Sequence, residues 1–139
     1  MNGWIEGIQN AIAYVEENLT EDLDVCDIAE KAYVSAFYFQ KIFSVLCGFT
    51  IGEYIRKRRL TRAAEELSAT DAKVIDVAVK YGYDSPDSFA RAFTKFHGIT
   101  PSAAIKLLDK YNHPYDIVYT NFVENIIYED EYQIAIRTE

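Results

Sequence analysis

DIAEKAYVSAFYFQKIFSVLCGFT at 27–50 and DVAVKYGYDSPDSFARAFTKFHGIT at 76–100 are two copies of one pattern. Asp27-Ile28-Ala29 lies over Asp76-Val77-Ala78 at an offset of 49. One extra residue enters at the turn, where Tyr33-Val34 becomes Gly82-Tyr83-Asp84. From there the offset is 50: Ser35 with Ser85, Phe39 with Phe89, Phe43 with Phe93, Gly48 with Gly98 and Thr50 with Thr100. Self-similarity at a fixed spacing marks a repeated packing unit. Each copy predicts a short helix with an inward Ala, a tight turn, a Ser cap, and a longer helix carrying Phe at i and i+4.

The segments around the repeats are helical too. Ile5, Ile8, Ile12, Val15 and Leu19 form one stripe of a helix over 4–19. The polar residues 20–24 break it, and the repeats predict helices over about 25–32, 36–47, 73–81 and 86–97. Thr50 and Glu53 make a capping box that opens a long helix to about Ser68. Gly48, Gly82 and Gly98 stand where helices stop. Thr100-Pro101 starts a seventh helix with Pro at its first position, where the missing N–H costs nothing. After Asn112 the composition turns to Ile, Val, Tyr and Phe. The alternation in 132–138 behind the acidic 129–131 predicts a β-hairpin. The expected fold is mainly α: a seven-helix bundle with two helix-turn-helix units joined by a long linker helix, plus a short C-terminal β-hairpin tail. The expected domains are 1–111 and the β-rich tail 112–139.

Composition bounds what such a chain can do. Half of its 139 residues are hydrophobic, enough for a core. No apolar run approaches the ~20 residues of a membrane span, and the N-terminus lacks a signal-peptide pattern. The expected compartment is the cytoplasm, with Cys26 and Cys47 reduced. The formal net charge is −8, but it is unevenly placed. Residues 1–30 hold eight acids and no Lys or Arg, residues 31–110 thirteen bases against eight acids, and residues 111–139 one base against six acids. A basic middle therefore lies between two acidic ends.

In a helix-turn-helix, the small Ala29 or Ala78 lets the second helix cross closely over the first, and the paired Phe side chains fill the angle between them. The opposite face of the second helix stays free to enter a major groove. In the first copy that face is Phe37, Gln40, Lys41 and Ser44; in the second it is Asp87, Ala90, Arg91 and Thr94. Gln40 can bond an adenine edge and Arg91 a guanine edge in bidentate fashion, and Phe37 can touch a thymine methyl. Lys41 reaches guanine or phosphate, and Asp87 either accepts from cytosine or only stabilises its helix N-terminus. Arg56, Lys57, Arg59 and Arg62 on the linker helix, together with Lys95 and the helix N-termini at Ser35 and Ser85, are expected on phosphates, which position without specifying. One such hairpin would read as an ordinary helical bundle. Two at a fixed offset, joined by a basic helix, point to double-stranded DNA.

The pattern Val77-Ala78-x3-Gly82-Tyr83-x-Ser85-x2-Ser88-Phe89-x-Arg91-x-Phe93-x4-Gly98-Ile99-Thr100-Pro101 resembles the AraC/XylS family of bacterial transcription regulators. Tyr54-Ile55-Arg56 and Arg59-Leu60-x2-Ala63 resemble that family's linker helix, and the resemblance runs from about Ile5 to Ala104. It implies seven helices, two recognition helices in successive major-groove segments, and an activator that works with RNA polymerase. The chain departs from the family pattern at Ala104-Ile105, where an aromatic and Arg are common, and at Asp87 and Ala90, where longer donors are common.

Other chemistry finds little footing. His97 and His113 with Cys26 and Cys47 show no metal-ligand spacing, and no phosphate loop or nucleophile elbow occurs. No catalytic residue, metal or cofactor is expected. His97 beside Gly98 suits a helix C-terminus. The tail loosely resembles the opening of a GyrI-like effector domain, which would bring a small-molecule effector. Alternatively, it joins two chains into a homodimer. A protein-interaction module that binds another regulator or polymerase, with little DNA affinity, is the rival to the DNA reading.

Overall fold

The computed structural model describes residues 3–105. The expected hairpin, the boundary at 111/112, and the dimer and effector roles given to the tail all lie outside these residues. Six complete helices follow in order: α1 (Gly3–Glu17), α2 (Val25–Lys31), α3 (Ala36–Cys47), α4 (Ile51–Ala69), α5 (Val74–Lys80) and α6 (Pro86–His97). A seventh, α7, begins over 101–105. No strand occurs among the described residues.

Local chemistry sets these ends. Ser35 Oγ accepts from Tyr38 N–H at 3.1 Å, and Ser85 Oγ accepts from Ser88 N–H at 3.1 Å. Each bond satisfies a first-turn amide that has no partner inside its helix. Asp24 does the same for α2, accepting from Cys26 N–H at 2.7 Å. Glu53 N–H donates to Thr50 Oγ1 at 3.1 Å, and Thr50 N–H donates to Glu53 Oε1 at 3.2 Å, so the capping box closes in both directions. Gly48 and Gly98 end α3 and α6 in the left-handed region, at φ 81° and 82°.

The described residues fall into two compact units that divide inside α4, after Arg56. In the first, α1 packs on α2 and α2 on α3. Its core holds Ile5, Ile8, Ala11, Val15, Leu19, Ile28, Ala29, Phe39, Phe43, Leu46, Ile51 and Tyr54. The face of α1 is centred on Ile8, Ala11 and Val15, so Ile12, expected inside, sits half-buried at its edge, and Leu19 is buried from beyond the helix end. Gly7 lets α1 lie against the end of α2: a Cβ there would come within 2.9 Å of the Ala32 carbonyl oxygen. Tyr54 Oη donates to Glu16 Oε2 at 2.8 Å, tying α4 to α1.

In the second unit α5 packs on α6, and Leu60, Ala63, Ala64, Leu67, Val77, Ala78, Tyr81, Phe89, Phe93 and Ala104 form the core. Glu66 accepts from Lys80 Nζ at 2.7 Å and from Tyr81 Oη at 3.2 Å. Burial, and then the Glu66 charge, push the Tyr81 phenol up to about 12.

The two units repeat the same Phe packing and the same turn bonds. Phe39, Phe43, Phe89 and Phe93 are all fully buried, with ring centroids 5.8 Å apart in the first pair and 5.5 Å in the second. Both turns are Schellman motifs. Val34 N–H reaches back to Ala29 O and Tyr33 N–H to Glu30 O; Tyr83 N–H reaches Ala78 O and Gly82 N–H Val79 O. This pairing identifies Asp84 as the extra residue of the second copy. The left-handed position is Gly82 in one turn and Tyr33, at φ 59°, in the other.

Candidate nucleic-acid interface

The inner face of α3 is Phe39, Phe43, Leu46 and Cys47. Because those four are buried, the helix period turns Phe37, Gln40 and Lys41 outward, and all three are exposed; Ser44 is half-buried. The same logic applies to α6. With Phe89 and Phe93 inside, Asp87 and Arg91 are exposed, while Ala90 and Thr94 are half-buried. Thr94 Oγ1 donates to Ala90 O at 2.6 Å, so its proton is committed to its own helix and what it can still offer outward is an acceptor. Ala90, Arg91, Thr94 and Lys95 line one shallow depression. Each expected reading set therefore shares one face of its own helix. Asp87 also lies in the first turn of α6, where a carboxylate opposes the positive end of the helix dipole.

The basic run on α4 divides by helix phase. Arg56 and Arg62 are exposed, Lys57 and Arg59 half-buried, and Arg58 is only 4 % exposed. Arg62 Nη1 lies 3.6 Å from Glu65 Oε2, a surface ion pair worth little. Arg59 Nη1 approaches the α5–α6 turn, 3.9 Å from where a Cβ on Gly82 would stand. Lys95 is exposed, Ser35 is exposed and Ser85 half-buried.

His97 ends α6, as expected of a C-terminal histidine, but its ring turns to α4. Its Nε2 is 3.0 Å from Leu60 O, and since a carbonyl can only accept, Nε2 carries the proton. Phe93 and Phe96 hold the ring at centroid distances of 4.4 and 4.6 Å. Cys47 is a packed thiol; Cys26 is exposed, and the Asp24 carboxylate beside it raises its pKa and so suppresses the thiolate. Sequence reasoning missed the exposed apolar residues Tyr38 and Val45 of α3. Their signal was available: Val45 follows Lys41 by four residues on the outward side.

The family described as "Helix-turn-helix domain" matches residues 28–106. The HTH-type transcriptional activator AarP of Providencia stuartii is 42% identical over 95 residues, which are 68% of this chain and 70% of AarP. The regulatory protein SoxS of Escherichia coli K12 is 38% identical over 95 residues, 68% of this chain and 89% of SoxS. Among solved structures, a transcriptional regulator of AraC type from Chromobacterium violaceum has a TM-score of 0.67 at 26% identity, covering 70% of this chain and 88% of its own. The DNA-binding domain of AdpA, a global transcriptional factor solved in complex with a target DNA, has a TM-score of 0.66 at 27% identity, covering 73% and 92%.

Proposed function

The chain belongs to the AraC-type helix-turn-helix family, and on that premise we propose that it is a sequence-specific DNA-binding transcription regulator that acts as an activator. The observation that carries this reading is the duplicated unit: two Ser-capped helices, α3 and α6, each held by a buried Phe pair and each turning its opposite face outward. In this reading α3 and α6 enter successive major-groove segments. Gln40, Lys41 and Arg91 carry the hydrogen-bonding readout, with Phe37, Ser44, Asp87, Ala90 and Thr94 around them. Arg56, Lys57, Arg59, Arg62 and Lys95, with the helix N-termini at Ser35 and Ser85, take phosphates. The protein has no catalytic role, works in the cytoplasm and acts with RNA polymerase. No helix of the described residues is long and apolar enough to cross a membrane.

Capture of genomic fragments by the full chain at two salt concentrations tests the proposal. A defined set of fragments should be enriched, with affinity falling steeply as salt rises, because each neutralised phosphate releases counterions. A chain that enriches no fragment, or whose DNA affinity ignores salt, is instead the protein-interaction module.

A further inference from the structure

The outward side of α3 is wider than its hydrogen-bonding face. Beside Gln40 and Ser44 runs a second, apolar flank. Phe37 is 74% exposed, Val45 72% and Tyr38 51%. Together with Lys41, Ile42 and Leu46 they line a depression of about 490 Å³. Single exposed apolar residues need no explanation, but a contiguous row on one helix face does. The equivalent flank of α6, read through the offset of 50, is Ser88, Ala92 and Lys95. The frame of the second copy thus carries small and polar residues where the first carries Tyr38, Ile42 and Val45.

Two features say what the α3 flank fits. The first is charge. In a chain of net charge −8, α3 carries no acidic residue and one base, Lys41, which lines the depression. The second is continuity: Phe37 and Lys41 belong both to this flank and to the hydrogen-bonding face. An anionic partner with apolar groups set beside hydrogen-bonding edges matches both. In the major groove the only apolar substituent is the thymine C5-methyl. Resting on the DNA-binding reading above, we propose that Tyr38, Ile42 and Val45 are specificity residues that seat thymine methyl groups, so that α3 selects a thymine-rich segment and α6 does not.

Removing single methyl groups tests this. The full chain is used to select duplexes from a random pool, and each thymine of a selected duplex is then replaced in turn by uracil, which deletes the methyl and leaves every hydrogen-bonding group in place. Uracil should weaken binding by about fourfold per seated methyl, the equivalent of one buried CH2 group, and the sensitive positions should cluster in one half of the site. Val45→Ser, and separately Tyr38→Ser, should still bind but lose the thymine-over-uracil preference at one of those positions. Both side chains are exposed, so neither change touches the core. Val45→Lys, which copies the residue of α6, should do the same. Binding that is indifferent to uracil throughout overturns the methyl assignment and leaves DNA binding standing. A preference that survives all three variants assigns the methyls to another surface and overturns it equally. A Val45→Ser chain that binds thymine and uracil duplexes more tightly than the parent would show the flank covered by protein, and the inference falls. Failure to select any duplex instead overturns the function proposed above.

Discussion

Tyr33 sits where the second copy has Gly82, and both backbones are left-handed, at φ 59° and 89°. For a residue with a Cβ this conformation costs about 1–2 kcal/mol, and Tyr33, 87% exposed, makes little packing to offset it. Tyr33→Gly should therefore raise the unfolding free energy by about 0.5–1 kcal/mol, after the extra flexibility glycine gives the unfolded chain. Urea titration of the two proteins checks it, and a loss of stability would mean that the tyrosine ring contributes contacts worth more than the strain. Arg91 is the second residue on which much turns. Arg91→Ala should lower discrimination at one or two base pairs by about 1–3 kcal/mol, with little change on random DNA. Equal weakening on both would place Arg91 on a phosphate. At this scale the sequence was legible wherever chemistry is local. Ser35, Thr50 and Ser85 were readable as caps because a hydroxyl bonding an amide two or three residues away needs no tertiary partner. Arg58 was not singled out. Which of four consecutive bases turns inward depends on helix phase, and that phase is set by Tyr54 and Thr61, buried four residues before and three after it.

Among the elements, α3 and α6 have the bounds that cap and glycine positions predict, 36–47 and 86–97. α1 is where sequence reasoning was weakest. Four of the five residues of its apolar stripe are buried, but Ile12 is not fully so, and Gly7 and Ala11 join the buried face instead, because close approach of α2 at Gly7 favours small residues over large ones. Gly7→Ala should add helix propensity, a gain of up to about 1 kcal/mol. It must also force the Ala32 carbonyl away from a 2.9 Å contact, and since that atom is backbone, overpacking at about 1–3 kcal/mol should win. Thermal melting should show the variant less stable than its parent; a higher melting temperature would mean that α1 can slide on α2 at no cost. His97 is a second case in which tertiary structure redirected a local expectation. The residue was legible as a helix-terminal histidine, but its bond to Leu60 O spans 37 residues and has no trace in sequence spacing.

For the whole molecule, charge placement governs how binding responds to solution conditions. The acidic first thirty residues and the basic middle make net charge a poor guide to DNA affinity. Arg56 is exposed and makes a cleaner probe than Arg59, whose guanidinium lies near Gly82. Arg56→Ala should weaken binding to specific and random duplexes alike and reduce the slope of log affinity against log salt by about one. An unchanged slope would remove Arg56 from the phosphate contacts.

The two helices proposed to read DNA share a frame and differ in every outward residue compared: Phe37 with Asp87, Gln40 with Ala90, Lys41 with Arg91, Ser44 with Thr94. A two-fold dimer of identical reading heads sees a palindrome and cannot tell upstream from downstream. One chain with two unlike heads has no such ambiguity. On the proposed reading, a site recognised forwards is a different site backwards, so the protein would land pointing one way, and the direction of a gene could be written into its binding site.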